Sequence, residues 1–351
     1  MPPLKFHSAP LRANVLPIRK VALAALCVAA CATAQAQSAP AATTVQVYGL
    51  MDIGLGSFKD AGGDRVTRVE SGAMTTSFIG FKGVEDLGGG LTANFVLESF
   101  MLNDTGMSGS FAGDPFYSRA AYVGLKKEGL GQLRMGRVPT PLFANVLMYN
   151  PLVSSYNYSP AIRSHYSYTG KTSGGTAWSN AVAYTSPDLG GVTVDLLYAP
   201  RESAQGDNTS AAVRYNSGAF SGGLVVQRVQ ASFASGEETT WQLGASYNAG
   251  FAKFFGQYGR VRETDTQTTN AGTRDTISQF GASVPVGNGA VLASWGQART
   301  SGTREATRSF TTIGYDHYLS KRTDLYAIAM GDRWTGRSDG SSFGVGIRHR
   351  F

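Results

Sequence analysis

Few residues could form a catalytic or metal centre. After residue 36 the histidines are His165, His317 and His349. His165 follows Ser164, but no carboxylate lies nearby in sequence to orient it as the base of a nucleophilic triad. No metal-ligand spacing is present, and the glycines at 88–90 precede no helical pattern. The sequence predicts no enzyme, no cofactor and no metal site.

A basic, acid-free span is the more informative chemical feature. Residues 129–187 contain no aspartate or glutamate, whereas they include Arg134, Arg137, Arg163 and Lys171. Fixed positive charge along a narrow, partly desolvated passage stabilises anions and raises the energy of cations. Because no run of lysine and arginine of the kind that follows a phosphate backbone is present, we expect no nucleic-acid partner.

The first 36 residues have the features of a cleaved secretory leader. Arg19 and Lys20 precede an apolar run of about a dozen residues, which is too short to span a bilayer, and Ala34-Gln35-Ala36 forms a cleavage site. Cys31 ends a lipobox-like segment, so a lipoprotein is the alternative. We predict a leader at 1–36 and one domain at 37–351. Cleavage would remove both cysteines and four basic residues, lowering the net charge from +7 to +3.

Alternation with a period of two residues dominates the remaining chain. Val45, Val47 and Met51 alternate with Gln46, Tyr48 and Asp52, which is typical of strands with one lipid-compatible face and one wet face. No apolar stretch after residue 36 approaches twenty residues. A membrane protein without such stretches has to be a closed barrel, because lipid offers no partner for unpaired backbone groups. Glycines on the wet face are expected to keep the interior open.

Sixteen strand-like segments can be counted, and every second connection between them is tight. The segments are 44–56, 74–84, 91–102, 116–126, 130–137, 176–186, 191–200, 209–217, 219–231, 237–248, 251–262, 274–284, 288–300, 304–317, 321–333 and 341–351. Tight turns at one rim and longer polar loops at the other are typical of outer-membrane barrels. The sequence predicts an all-β fold, a sixteen-stranded antiparallel transmembrane β-barrel with short periplasmic turns and longer extracellular loops. Its apolar last strand pairs with the first.

Several motifs resemble the Gram-negative general porins of beta-proteobacteria. They include VQVYGLMDIGL at 45–55, GFKGVEDLGGGLTANFVLES at 80–99, AAYVGLKKEGLGQLRMGR at 120–137 and GVGIRHRF at 344–351. The resemblance implies an outer-membrane homotrimer surrounded by lipid and lipopolysaccharide. It also implies that the third extracellular loop, about 138–175, folds into the pore. The terminal Phe351 is expected to be the assembly signal read by the barrel insertion machinery.

The resemblance also suggests which side chains line the pore constriction. Arg137 is the first candidate, because GR at the end of the fifth strand matches the family's ladder of basic residues, followed by Arg119 and Lys82. Arg163 is the candidate on the loop. Asp52 and Glu98 have wet-face parity and are possible opposing pore charges. Phe78 occupies a position where the family often has an arginine, so we expect a shorter ladder.

These features predict a porin for passive diffusion of small hydrophilic solutes and ions, with a preference for anions. Two alternatives remain open at this point. A substrate-specific channel would show saturable block by its solute, and a non-conducting structural or adhesive barrel would show no conductance. Aromatic side chains could form a stacking track for sugars, but no contiguous row is visible among Tyr48, Tyr198, Trp241, Tyr247 and Trp295.

Overall fold

A computed structural model of the chain describes residues 44–166, 174–200, 207–232, 236–264 and 272–351. The predicted leader, residues 1–36, lies outside the described residues, so its cleavage stays a prediction. No helix in the described part is long and apolar enough to cross a membrane.

The described residues form eighteen strands and two helices. The strands are β1 (Thr44–Phe58), β2 (Val66–Ser71), β3 (Phe78–Gly88), β4 (Leu91–Leu102), β5 (Met107–Ser108), β6 (Ala120–Lys127), β7 (Gly131–Pro139), β8 (Ala177–Thr185), β9 (Val192–Ala199), β10 (Asn208–Ser217), β11 (Phe220–Ser232), β12 (Gly236–Asn248), β13 (Lys253–Glu263), β14 (Thr273–Val286), β15 (Gly289–Gly302), β16 (Ala306–Tyr318), β17 (Thr323–Trp334) and β18 (Gly340–Arg350). The helices are α1 (Pro141–Met148) and α2 (Pro160–Tyr166).

Each wall strand pairs antiparallel with its neighbours in the chain, and β18 pairs with β1 to close the cylinder. β1 pairs with β3 over its first half and with β2 over its second half, so β2 and β3 together complete one side of β1. β5 forms only a two-residue pairing with the end of β4. Without β2 and β5 the wall has sixteen strands, which confirms the predicted barrel.

Burial follows the predicted alternation. Val45, Val47 and Leu55 of β1 are 62%, 57% and 53% exposed on the outer face, whereas Asp52 on the inner face is fully buried. At the closing seam, the backbone N–H groups of Gly49 and Phe351 each donate to the other residue's carbonyl. Closure thus satisfies the backbone of the last strand, which would otherwise be an exposed apolar edge.

The connection between β7 and β8 is here called loop 3, and its described residues, 140–166 and 174–176, pack against the inner face of the barrel. Thr140 caps α1 by accepting from the N–H of Phe143 at 3.2 Å, and Pro141 has no N–H to leave unsatisfied there. Leu142 and Ile162 are fully buried in an apolar cluster shared with inward residues of β10 and β11. Burying each such side chain contributes about 1.5–3 kcal/mol, so apolar contact stabilises loop 3 against the wall.

Inward glycines make this close approach possible, which corrects the expectation that they mainly keep the interior open. The ring of Tyr149 occupies the space where side chains at Gly223 and Gly244 would lie. A Cβ at Gly281 would come within 2.7 Å of Pro151, another loop 3 residue. The wet-face glycines of these strands therefore form the surface on which loop 3 packs.

Candidate pore constriction

Loop 3 covers one side of the inner wall and leaves the other side open. Helix α1 contacts β9–β12, and α2 contacts β14–β16. Asn145 of α1 donates to the Gln242 side chain at 2.8 Å, and the Gln257 side chain donates to the carbonyl of Val146 at 2.9 Å. The open part of the lumen is therefore bounded by loop 3 and by the inner faces of β1, β3, β4, β6 and β7.

Two cationic side chains on this open wall have no carboxylate partner among the described residues. Lys82 of β3 is exposed, and its ammonium lies 4.6 Å from the centre of the Tyr48 ring. Arg134 of β7 lies 5.6 Å from the centre of the Tyr122 ring and donates to the hydroxyl of Thr185 at 3.0 Å. Neither contact neutralises the charge. Both side chains therefore present positive charge on the inner wall.

Arg119 is a third cation at the loop-bearing end of the same wall. Its guanidinium lies 4.2 Å from the centre of the ring of Phe78, the residue at the position where the family often has an arginine. Its Nε is 2.9 Å from a carboxylate oxygen of Glu98, and Glu98 also accepts from the Tyr48 hydroxyl at 2.5 Å. Arg119, Lys82 and Arg134 are here called the basic strip. The structure thus brings the predicted residues Arg119, Lys82 and Glu98 together.

Tyr156 of loop 3 lies near Arg119, at the end of the basic strip closest to the extracellular loops. Burial raises the pKa of the Tyr156 hydroxyl to about 12, and the nearby positive charge of Arg119 acts in the opposite direction. A cavity of about 400 Å³ opens beside these residues and is lined by Phe100, Tyr156 and Asn157. Thr76, which also lines it, accepts a hydrogen bond from Arg119 at 3.3 Å.

Arg137 does not join the basic strip, contrary to the first-ranked prediction. Its register partner on β6 is Ala121, and it shares the outward parity of Leu133 and Met135. Its guanidinium donates to the Ser118 carbonyl and to the Ser179 hydroxyl at the loop-bearing rim. Arg134 has the inward parity instead. The alternation of Arg134 with the outward apolar residues Leu133 and Met135 is the sequence signal that indicates this position.

Arg163, the predicted loop residue of the pore constriction, is buried in ion pairs. It is 8% exposed, and its guanidinium lies 2.7 Å from Asp60 and 3.8 Å from Asp332. Burial lowers the pKa of Arg163 while Asp60 acts in the opposite direction. Arg308 forms a bidentate ion pair with the same carboxylate, that of Asp332. The acid-free span is therefore neutralised here by carboxylates from elsewhere in the chain.

Asp52 does not oppose the pore cations, although its inward parity was predicted correctly. Its carboxylate accepts from the N–H groups of Met74 and Thr75 at 2.9 and 2.6 Å and from the Tyr326 hydroxyl at 2.7 Å. Full burial leaves it out of contact with the lumen. Asp52 thus fixes the segment before β3 to the wall, and Glu98 is the candidate carboxylate beside the basic strip.

His165, the one histidine with a possible catalytic neighbour, is packed in α2. It is 1% exposed, and its ring lies 3.5 Å from the Gln242 amide. Burial lowers the pKa of His165 to about 4. Among the described residues, no group of three or more His, Cys, Asp and Glu side chains is placed to hold a metal ion.

Known proteins resemble this chain over most of its length. The family model described as Gram-negative porin matches residues 22–333. Outer membrane porin protein 32 of Delftia acidovorans is 30% identical, and the match covers 88% of each chain. An outer membrane porin protein of Bordetella pertussis is 26% identical over 90% of this chain and 96% of that protein.

Solved structures agree with the barrel. An anion-selective porin from Comamonas acidovorans superposes with a TM-score of 0.77 at 26% identity, covering 88% of this chain and all of that one. A loop-deletion form of OmpT from Vibrio cholerae superposes with a TM-score of 0.71 at 15% identity, which supports the fold alone. With a closed sixteen-stranded wall, a loop in its lumen and this family match, the chain belongs to the Gram-negative porins of the outer membrane.

Proposed function

We propose that this porin prefers anions because the unpaired charges of its basic strip lie along the open side of the lumen. The observation that carries the proposal is the pairing of charges. Lys82 and Arg134 have no carboxylate partner among the described residues, whereas Arg163 on the opposite loop is neutralised by Asp60 and Asp332. An ion that passes between loop 3 and the wall meets net positive charge.

The aromatic ring beside each cation supports the same proposal. A ring face stabilises a cation through its quadrupole but adds no net negative charge. The cation therefore keeps its long-range field, and its side chain is held in place against the wall. At an effective dielectric constant near 20, two unit charges at about 8 Å interact by about 2 kcal/mol, enough to favour one sign of ion. Salt at physiological concentration only partly screens this interaction, because the passage is narrow.

The reversal potential of the purified mature protein in a planar bilayer under a KCl gradient tests the proposal. We expect the sign for chloride preference. The double variant Lys82→Gln/Arg134→Gln should shift the potential towards cation preference. The matched control Arg137→Gln changes the charge of an outward residue and should leave it unchanged. Cation preference in the unmodified protein would contradict the proposal.

A substrate-specific channel is the second candidate, and the cavity beside Arg119 favours it. About 400 Å³ suits a small solute, and the lining combines the aromatic Phe100 and Tyr156 with the polar Thr76 and Asn157. A preferred solute would block ion conductance in a saturable manner, and Tyr156→Ala would weaken the block. Conductance that depends only on solute size favours the general porin.

We infer a homotrimer in the outer membrane with no enzymatic activity. A trimer form is named for an OmpT structure from Vibrio cholerae with the same fold, at a TM-score of 0.67. Chemical cross-linking of the protein in membranes tests the trimer. The proposed role of Phe351 in recognition by the insertion machinery is supported by its place at the end of the closing strand. Deletion of Phe351 should reduce assembly more than Phe351→Tyr, measured as folded protein in outer-membrane fractions.

A further inference from the structure

Four arginines stand on the outer face of three neighbouring strands, close to the rim that carries the long loops. They alternate with buried inward residues and are all exposed: Arg260 and Arg262 of β13, Arg274 of β14 and Arg299 of β15. These four residues are here called the arginine cluster. They point away from the lumen, so the pore function does not account for them.

The sheet register gathers the arginine cluster around one hydroxyl. Thr276 of β14 pairs with Arg260 on one side and with Arg299 on the other. Arg274 lies two residues from Thr276 on the same face, and it pairs directly with Arg262. Like charges directly opposite each other in a sheet are destabilising. Such a pairing suggests that an anion occupies the space between the guanidinium groups.

No described carboxylate supplies that anion. The guanidinium groups of the four arginines make no hydrogen bond or ion pair with the described residues. Other outward arginines do: Arg228 lies 3.8 Å from Glu237 and Arg333 lies 3.5 Å from Asp339. The nearest acid on the same strands, Asp275, points inward and accepts from the Thr300 hydroxyl at 2.6 Å. Since the described residues offer no carboxylate to the arginine cluster, another molecule can supply the counter-charge.

Aromatic residues on the same face give the depth of the arginine cluster in the membrane. Trp241 of β12 pairs with Arg260. The ring centre of Trp241 lies 5.6 Å from that of Tyr258, which is the next outward residue of β13 in the direction of the tight turn. Further along, Phe280 stacks on Trp295 at 6.4 Å. Tryptophan and tyrosine mark the membrane–water interface of a barrel. The arginine cluster therefore stands at the extracellular interface, at the level of the lipid head groups.

We propose that the arginine cluster binds the phosphate groups of an outer-leaflet lipid head. Guanidinium groups bind phosphate oxygens with paired, charge-assisted hydrogen bonds, and four of them around Thr276 can hold a doubly charged head between strands. The acyl chains of such a lipid would lie along the apolar wall below, over Phe280 and Trp295. This inference rests on the position of the barrel in the outer membrane and is independent of the proposed anion preference.

Binding of purified short-chain lipopolysaccharide to the mature protein in neutral detergent tests the proposal, with native mass spectrometry as the readout. The variant Arg260→Gln/Arg262→Gln/Arg274→Gln/Arg299→Gln should weaken binding by at least about tenfold. A matched control, Lys59→Gln/Arg65→Gln/Arg333→Gln/Arg337→Gln, removes the same charge from other parts of the same rim and should bind as the unmodified protein does. Removal of the lipid phosphates should abolish the difference between the unmodified protein and the cluster variant.

Four outcomes would overturn the proposal. Three of them are equal binding by the cluster variant, equal loss in the matched control, and undiminished binding of the dephosphorylated lipid. The fourth is inorganic phosphate that binds at least as tightly as the lipid, which would assign the arginine cluster to a free anion. If the fourfold variant does not fold, the double variant Arg262→Gln/Arg274→Gln carries the same test. Its Tm in neutral detergent should be no lower, because it removes a like-charge pair. Unchanged reversal potentials in these variants separate this test from that of the pore.

Discussion

The packing of loop 3 on inward glycines predicts that one added methyl group will loosen it. An alanine Cβ at Gly244 would overlap the ring of Tyr149, which is 1% exposed and whose hydroxyl lies 3.1 Å from that of Ser221. Gly244 lies in β12, which is hydrogen-bonded to β11 and β13 on its two sides, so loop 3 has to move. Overpacking of this kind costs about 1–3 kcal/mol. The population of loop 3 detached from the wall should rise by about 5- to 140-fold.

The assay is thiol labelling of a reporter cysteine. Residues 37–351 contain no cysteine, so Val146→Cys, at a fully buried position of α1, provides a single thiol. Its labelling rate reports the open population when opening and closing are fast. Gly244→Ala in this background should speed labelling. Gly331→Ala is the matched control, because a Cβ there has no heavy atom within 4 Å.

Equal labelling rates in the Gly244→Ala and Gly331→Ala variants would refute the reasoning, since they would mean that the glycine at 244 provides no needed space. A large increase in both would show that alanine weakens the strands themselves, which would also contradict the explanation. Far-ultraviolet circular dichroism and heat-modifiable electrophoretic mobility verify in each case that the barrel is intact.

Substitutions at Glu98, Asp60 and His165 test three further contacts of the pore. Glu98→Gln removes the carboxylate beside Arg119 and should increase chloride preference in the reversal potential; a shift towards cations would contradict the assigned pairing. Asp60→Asn leaves Arg163 without its nearer partner and, because Asp60 is 60% exposed, should destabilise loop 3 by only about 1 kcal/mol, measured by the same labelling assay. The depressed pKa of His165 means that folding favours its neutral form, so loop 3 should be fully stable above pH 6.5 and lose up to about 3 kcal/mol as the pH falls towards 4. His165→Gln should remove most of this acid sensitivity, and an unchanged pH profile in that variant would assign it to other groups.

Much of the barrel follows from local sequence pattern. Alternation places the strands because the side-chain period of a strand matches the two faces of a wall between lipid and lumen. The tight turns then fix which strands are neighbours. Thus β4, predicted at 91–102, has those bounds in the structure, and β11, predicted at 219–231, extends from 220 to 232. The two short strands β2 and β5 were not predicted, because their pairing depends on how the loops fold back.

The candidate site was harder to predict because charges act through their partners. Lys82 and Glu98 were placed correctly on the inner wall by parity and resemblance. The neutralisation of Arg163 by Asp60 joins residues a hundred positions apart, and no local pattern reports it. For Arg137 the family motif predicts a pore position, whereas alternation with Leu133 and Met135 on the same face indicates the outer side, where the structure places it. Sequence also gave no reason to expect that four outward arginines on three strands meet around Thr276.

In the proposed pore, ions pass along Lys82 and Arg134, and Arg137 is outside their path. Single cysteines at these three positions, modified in a planar bilayer with a negatively charged thiol reagent, test it in one measurement of reversal potential before and after modification. We predict a shift towards cation preference for cysteine at 82 and at 134, and no shift for cysteine at 137. A shift only at 137 would contradict the account.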